Sequence, residues 1–315
     1  MTKKQRIIID SDPGIDDALA ILLALAEDSL ELEGVTVVHG NCSASQGVTN
    51  ALAVLETAGY PQIPVYQGLS RPLVQDPLFA PETHGSSGLG YASLPYPDRE
   101  AQPEHAVDYI IHSLLASPGE ITLVAVGPLT NLALALRKAP EIIPAVNEVI
   151  IMGGAIKHGG NTTPLAEFNV YADPHAARIV FQSGMPIRLV PLDVTYQCIL
   201  TLEDVQRLQD LDSPISEFIA DSTRFYMEFH DSYQGVQGCV INDPLALALT
   251  FEEGLCQFDE YYVDVDLSGG VSMGKTFADF YGMEEKEPNL EVAMEVKARE
   301  FINLFLDRME TLIQQ

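Results

Sequence analysis

An open, mainly parallel α/β sheet of Rossmann-like type, with helices on both faces, is the fold class this sequence predicts. Three observations carry that expectation. Ile7, Ile8 and Ile9 form a β-branched run suited to a strand buried on both faces, and the apolar stretch 18–26 that follows is long enough for a helix. The alternation then repeats: LEGVTVVHGN reads as a strand ending in a polar loop at Asn41, apolar positions over 48–58 recur at helical spacing, and 63–66 begins another short strand. Strands alternating with helices build parallel sheets and place functional groups at the carboxyl ends of the strands. Finally, 315 residues of 47% hydrophobic composition can bury a large core. With no linker, repeat or low-complexity tract in view, residues 1–315 are expected to form a single domain.

Further along, the proline- and glycine-rich segment 76–98 interrupts the rhythm and reads as a mobile lid or loose surface, with His84 at its centre. A helical pattern over 106–115 leads into ITLVAVGPLTNLALALRK, a strand, turn and helix with Val126 at the strand's end. EVIIMGG gives a strand and a close turn at Gly153 and Gly154, and Asp173 with Pro174 forms a cap and first-turn pair for the next helix. IRLVPLDVT reads as a further strand and 202–233 as mostly helical. Asp243 and Pro244 open another helix, and the remainder reads as a peripheral strand and a closing helix.

Charge narrows the partners. With 45 acidic and 17 basic residues the formal net charge is -28, so polymeric nucleic acid and anionic membranes are repelled while a neutral small molecule is unaffected. No apolar run reaches membrane-spanning length, and MTKKQR passes into a strand without the apolar core of a signal peptide, so a cytoplasmic location is expected. Cys42, Cys198, Cys239 and Cys256 lack metal-binding spacing and read as reduced thiols.

The chemistry concentrates where the first strand meets the first helix. Asp10, Asp12, Asp16 and Asp17 crowd around the Pro13-Gly14 turn. A helix cap needs one carboxylate, not four, and like charges this close must take up a proton or share a cation. All-oxygen ligands select a hard ion such as calcium or magnesium.

As it stands, DSDPGIDDA resembles the N-terminal signature of the nucleoside hydrolases, the inosine-uridine preferring family. The resemblance runs in order through VHGN, THGSSG, GPLTN, MGGAI, AEFNVYADP and NDP; the first and sixth segments are the specific ones. It implies the nucleoside hydrolase fold and calcium-dependent hydrolysis of the N-glycosidic bond of a small-molecule ribonucleoside, giving ribose and free base. By the same resemblance, one Ca2+ per subunit is held by Asp12, Asp17, Asp243 and the Val126 carbonyl, and Asp12 takes the proton of the attacking water. Asp16, Asn41, Asn169 and Asp243 grip the 2′ and 3′ hydroxyls, and Asn161 and Glu167 the 5′ hydroxyl, leaving Asp10 to support the loop. A homodimer or homotetramer and a role in nucleoside salvage are also implied.

The sequence departs from the family at the leaving base. Many members carry a His just before the last metal-binding Asp, where this chain has Asn242, and the purine-specific subgroup stacks the base between tryptophans, of which this chain has none. An amide has no useful pKa for proton donation. His230, four residues after Tyr226 and able to share its helix face, is a candidate acid, with His84, Tyr226 and Tyr233 beside it. Two rivals remain at this stage. One is a nucleoside or ribose binder that has lost turnover with its acid. The other is a phosphatase of the haloacid dehalogenase type, which shares an Asp-x-Asp pair after its first strand but not the AEFN and NDP segments.

Overall fold

Ile7, Ile8 and Ile9 are fully buried and alternate in direction: Ile7 and Ile9 join one hydrophobic core, and Ile8 joins the other. That period of two, apolar on both sides, marks a strand covered above and below. In the computed structural model, which describes residues 3–315, this strand is β1 (Gln5–Ser11). It is followed by α1 (Ile15–Ala26), β2 (Leu30–Val37), α2 (Ala44–Thr57), β3 (Val65–Gln67) and the short α3 (Pro81–His84). The chain continues through α4 (Ala106–Ala116), β4 (Ile121–Ala125), α5 (Thr130–Lys138), β5 (Glu148–Met152), α6 (Phe168–Ala172), α7 (Pro174–Phe181), β6 (Ile187–Val190) and α8 (Leu192–Thr195). Then come β7 (Ile199–Leu200), α9 (Leu202–Gln209), α10 (Pro214–Gln234), β8 (Cys239–Val240) and α11 (Asn242–Ala248). The last part comprises β9 (Cys256–Tyr261), β10 (Val263–Val265), β11 (Thr276–Ala278), β12 (Leu290–Val296) and α12 (Ala298–Ile313).

Eight strands form one sheet in the order β3-β2-β1-β4-β5-β6-β12-β9. Every neighbouring pair is parallel except β12 with β9. The core on one face is built from α1, α2, α10, α11 and α12, and that on the other from α4, α5 and α7. From β1 the chain winds outward through β2 to β3, then returns to β4 and winds the other way. The strand order therefore reverses between β1 and β4, and the crevice outside their carboxyl ends is where an open α/β sheet binds its ligand. Ser11 and Ala125 end these two strands, so Asp12 and Val126 emerge side by side.

Several local expectations change. The strand read in IRLVPLDVT stops at Val190, because Pro191 has no N–H for the ladder, and 192–195 turn into α8. The long helical stretch splits into α9 and α10 at Asp212, whose φ of 52° lies in the left-handed region; Ser213 then caps α10 and Pro214 occupies its first turn. Leu290–Val296, read only as part of the peripheral remainder, is a strand of the main sheet paired with β6 and β9. The segment 76–98 is a strap fastened over the first turn rather than loose surface. The Ala80 amide donates to the Asn41 carbonyl (3.1 Å), and the Asn50 side-chain amide bridges the Pro13 and Ser87 carbonyls (2.9 and 2.8 Å).

Candidate active site

The turn after β1 is assembled from its own carboxylates. Gly14, at the N-cap of α1, has no side chain with which to cap it. Asp17 instead accepts the Gly14 amide on Oδ2 (2.9 Å), together with the Asn41 side-chain amide (2.9 Å), while its Oδ1 accepts the Ser11 hydroxyl (2.7 Å) and the Asp12 amide (3.2 Å). Asp12 accepts the Asn41 backbone amide on Oδ2 (2.6 Å). Its Oδ1 is buried with no partner. Two glycines make room for it: a Cβ on Gly40 would stand 1.9 Å from Asp12 Oδ2, and one on Gly127 would stand 2.7 Å from Oδ1.

Asp16, Asp17 and Asp243 each offer a carboxylate oxygen, all within 4.8 Å of one another and all buried. Sequence reasoning expected Asp12 with Asp17 and Asp243. The geometry groups Asp16 with that pair and sets Asp12 beside it through its bond to Asp17. Burial raises the carboxyls of all four above the ordinary range; repulsion from neighbouring carboxylates adds to it at Asp12, Asp17 and Asp243, while hydrogen bonds from Asn242 and Tyr226 oppose it at Asp16. Ile241 is the N-cap of α11, so Asp243 lies inside the first turn of that helix, where the helix N-terminus favours negative charge. The Val126 carbonyl, at the end of β4, accepts the Asn169 side-chain amide (2.7 Å), which also reaches the Met152 carbonyl (3.3 Å).

Asp10 is separate from this cluster. Its Oδ1 accepts the Thr36 hydroxyl (2.6 Å) and the Asn131 side-chain amide (2.8 Å), and burial pushes its carboxyl up to about 6. It ties β1 to β2 and to α5. The Asn of GPLTN therefore acts on the loop architecture, a role its motif alone did not disclose.

Above the carboxylates opens a cavity of about 630 Å3. All the expected site residues line it except Asp12 and Asp17, which are fully buried behind its wall. No lysine or arginine is among the described residues that line it. At one end, Glu167 caps α6, accepting the amides of Gly154, Asn169 and Val170 (2.9, 2.8 and 3.1 Å). The exposed Asn161 accepts the Phe168 amide (2.9 Å). Tyr196 and His158, which sequence reasoning missed, pack together here at 4.6 Å.

The other end is walled by α10 and the strap. His84 Nδ1 accepts the Ile15 amide (3.1 Å), an orphan donor of the first turn of α1, so the ring is neutral with its proton on Nε2. Burial pushes its pKa down to about 4. His230 is the mirror case: Nδ1 lies 2.8 Å from the Tyr226 carbonyl and must carry the proton, leaving a lone pair on Nε2, and burial lowers its pKa to about 4. Tyr226 packs against both rings, at 5.5 and 4.4 Å. Its hydroxyl donates to Asp16 Oδ2 (3.3 Å) and accepts from Asn242 Nδ2 (3.3 Å), which donates to Asp16 Oδ2 as well (3.0 Å). These carboxylate bonds fix the amide of Asn242, whose Oδ1 is buried without a partner. Phe229, also unforeseen, lines the cavity and stacks on Tyr233 at 5.0 Å.

Known proteins identify the family of the chain. The family model described as inosine-uridine preferring nucleoside hydrolase matches residues 7–303. The pyrimidine-specific ribonucleoside hydrolase RihA of Salmonella paratyphi B is 38% identical over 96% of this chain and 98% of its own length. Among solved structures, the purine-preferring ribonucleoside hydrolase from Gardnerella vaginalis superposes with a TM-score of 0.94 at 36% identity, covering 98% of this chain and 99% of that one. A plant nucleoside hydrolase superposes with a TM-score of 0.92 at 34% identity, covering 97% and 98%. With the carboxylate cluster at the sheet's switch point and the match running nearly end to end, the chain belongs to the inosine-uridine preferring nucleoside hydrolase family and is an N-glycosidase acting on ribonucleosides.

Proposed function

We propose that the chain hydrolyses ribonucleosides with one Ca2+ per subunit, held by Asp17 and Asp243 together with Asp12 and the Val126 carbonyl. The observation that carries this reading is the buried, all-oxygen cluster, with Asp16, Asp17 and Asp243 offering oxygens within 4.8 Å of one another. The orphaned Oδ1 of Asp12 adds a further oxygen with no partner in the protein. Hard cations take such donors, and the roomy set suits calcium better than the strict octahedron of magnesium. When bound, the ion supplies positive charge that lowers the pKa of water and polarises it.

The chain's own groups account for the rest. Asp12, its carboxyl raised by burial and by Asp17, takes the proton of the water that attacks C1′. Asp16, Asn41, Asn169 and Asp243 orient the 2′ and 3′ hydroxyls, and Asn161 and Glu167 orient the 5′ hydroxyl. The transition state carries oxocarbenium character, and carboxylates fixed around the ring favour that charge. The relatives differ in their named base preference, pyrimidine in one and purine in another, so family membership leaves the base open.

The test is cleavage of p-nitrophenyl riboside, whose nitrophenolate departs without an acid. Turnover that a chelator abolishes and added Ca2+ restores is expected; turnover indifferent to the chelator overturns the metal reading. We also infer a single domain, since one sheet takes strands from both ends of the chain, and a cytoplasmic homodimer or homotetramer serving nucleoside salvage. Light scattering of the purified protein checks the assembly. No described helix is long and apolar enough to cross a membrane.

A further inference from the structure

The base of a neutral nucleoside leaves as an anion unless a proton reaches it, so the donors at the base end decide which ribosides the site can cleave. The buried donors nearest Asn242 are already committed. Asn242 gives its N–H groups to Asp16 and Tyr226, and the Tyr226 hydroxyl gives its proton to Asp16. His230 gives Nδ1–H to the Tyr226 carbonyl and keeps only a lone pair. His84, held neutral by the Ile15 amide, offers a hydrogen bond from Nε2 but no proton it can release. The His158 Nδ1 lies 2.7 Å from the Gly159 carbonyl, in the loop of Asn161. Tyr233 stands 72% exposed on the rim.

The cavity as a whole carries no competing positive side chain. Glu82, beside His84 on the strap, lines it, and no lysine or arginine is among its described residues. The stacked Phe229 and Tyr233 offer ring faces that attract cations.

Resting on the hydrolase reading above, we propose that this site is matched to cationic N-ribosides, in which the glycosidic nitrogen belongs to a pyridinium or N7-alkylated purinium ring, and that Asn242 sets the preference. In such a substrate the water oxygen bonds to C1′, and the electron pair of the C1′–N bond moves onto the ring and cancels its positive charge. The base departs neutral. The one proton released, from the water, goes to Asp12. No acid is needed to protonate the base, and an amide in place of an acid at position 242 discriminates against inosine and uridine.

The test compares kcat/KM for 7-methylguanosine with guanosine, and for nicotinamide riboside with uridine, in the wild type and in Asn242→His, with p-nitrophenyl riboside as the control. Each cationic riboside is expected to exceed its neutral partner by roughly 10³-fold, the scale of a missing general acid, and the factor should shrink at least ~10-fold in the variant as an acid is restored. Neutral and cationic substrates cleaved alike, or a factor unchanged by Asn242→His, overturns the proposal. A ~10-fold loss of uridine cleavage in Tyr233→Phe also overturns it, since it identifies a donor on the rim. If p-nitrophenyl riboside is cleaved and the cationic ribosides are not, the inference fails while the hydrolase reading stands. If nothing is cleaved, both fail.

Discussion

The two ends of the cavity are built by different means. The ribose end is made from turns at the carboxyl ends of β1, β2 and β4, and its carboxylates are placed by backbone amides. Asp17 alone accepts two backbone amides, a hydroxyl and a side-chain amide. The base end is made from α10, the first residue of α11 and a strap, and its histidines behave according to which ring nitrogen holds the proton. A scaffold of strand ends fixes carboxylates rigidly for chemistry at the sugar. A helix face can change its side chains without disturbing that scaffold, and this end is where Asn242 departs from the family pattern.

The comparison is broken most directly at Asp12. Its Oδ1 has no partner and two glycines hold space around it, so Asp12→Asn removes the base while keeping the shape. The expected loss in kcat is about 10³-fold, within the range of general-base removal, and equal for p-nitrophenyl riboside and for nucleosides. A loss confined to nucleosides would place Asp12 in the chemistry of the leaving base and erase the division between the two ends.

This division also explains what the sequence disclosed. The ribose end was legible because a carboxylate cluster between a strand and a helix is a local pattern, and its partners Asn41, Asn169 and Asp243 sit in short, specific segments at other strand ends. The parallel sheet was legible from period and alternation. Leu290–Val296 was not, because LEVAMEV mixes exposed glutamates with buried apolar positions and reads like the edge it adjoins. The base end was hidden for another reason. His230 looked like an acid because a histidine four residues after a tyrosine shares its face, but a sequence does not show that Nδ1 meets the Tyr226 carbonyl. Nor could it show that His84 crosses 69 residues of chain to reach the Ile15 amide.

Protonation sharpens the contrast, since the two ends have opposite signs. At the ribose end, carboxyls raised by burial bind protons more tightly folded than unfolded. Cation-free protein therefore holds this contribution at low pH and loses it as pH rises above the ordinary carboxylate range. At the base end, His84 and His230 fall from 6.5 to about 4. The unfolded chain takes up those protons first, so their contribution is present above 6.5 and lost as pH falls toward 4. A bound divalent cation relieves only the first effect. The gap in Tm between calcium-loaded and chelated protein is therefore expected to be several degrees wider at pH 8 than at pH 5, by scanning calorimetry. A gap that narrows with rising pH would show that the carboxylates do not carry it.

The smallest effect falls on the contact that joins the two ends. His84 belongs to the base-end wall, yet its Nδ1 caps the helix that carries Asp16 and Asp17, at an N-cap whose glycine has no side chain. The fit is close, since a Cβ on Gly14 would come within 2.6 Å of that nitrogen. Removing the acceptor in His84→Ala leaves the Ile15 amide unsatisfied and should cost about 1 kcal/mol of stability, the usual worth of a lost cap. Because the damage passes through the helix to the carboxylates, kcat should fall by the same factor for p-nitrophenyl riboside and for uridine. If His84 instead donates a proton to the base, uridine cleavage alone falls and the nitrophenyl substrate is untouched; that result would move His84 from positioning residue to catalytic acid.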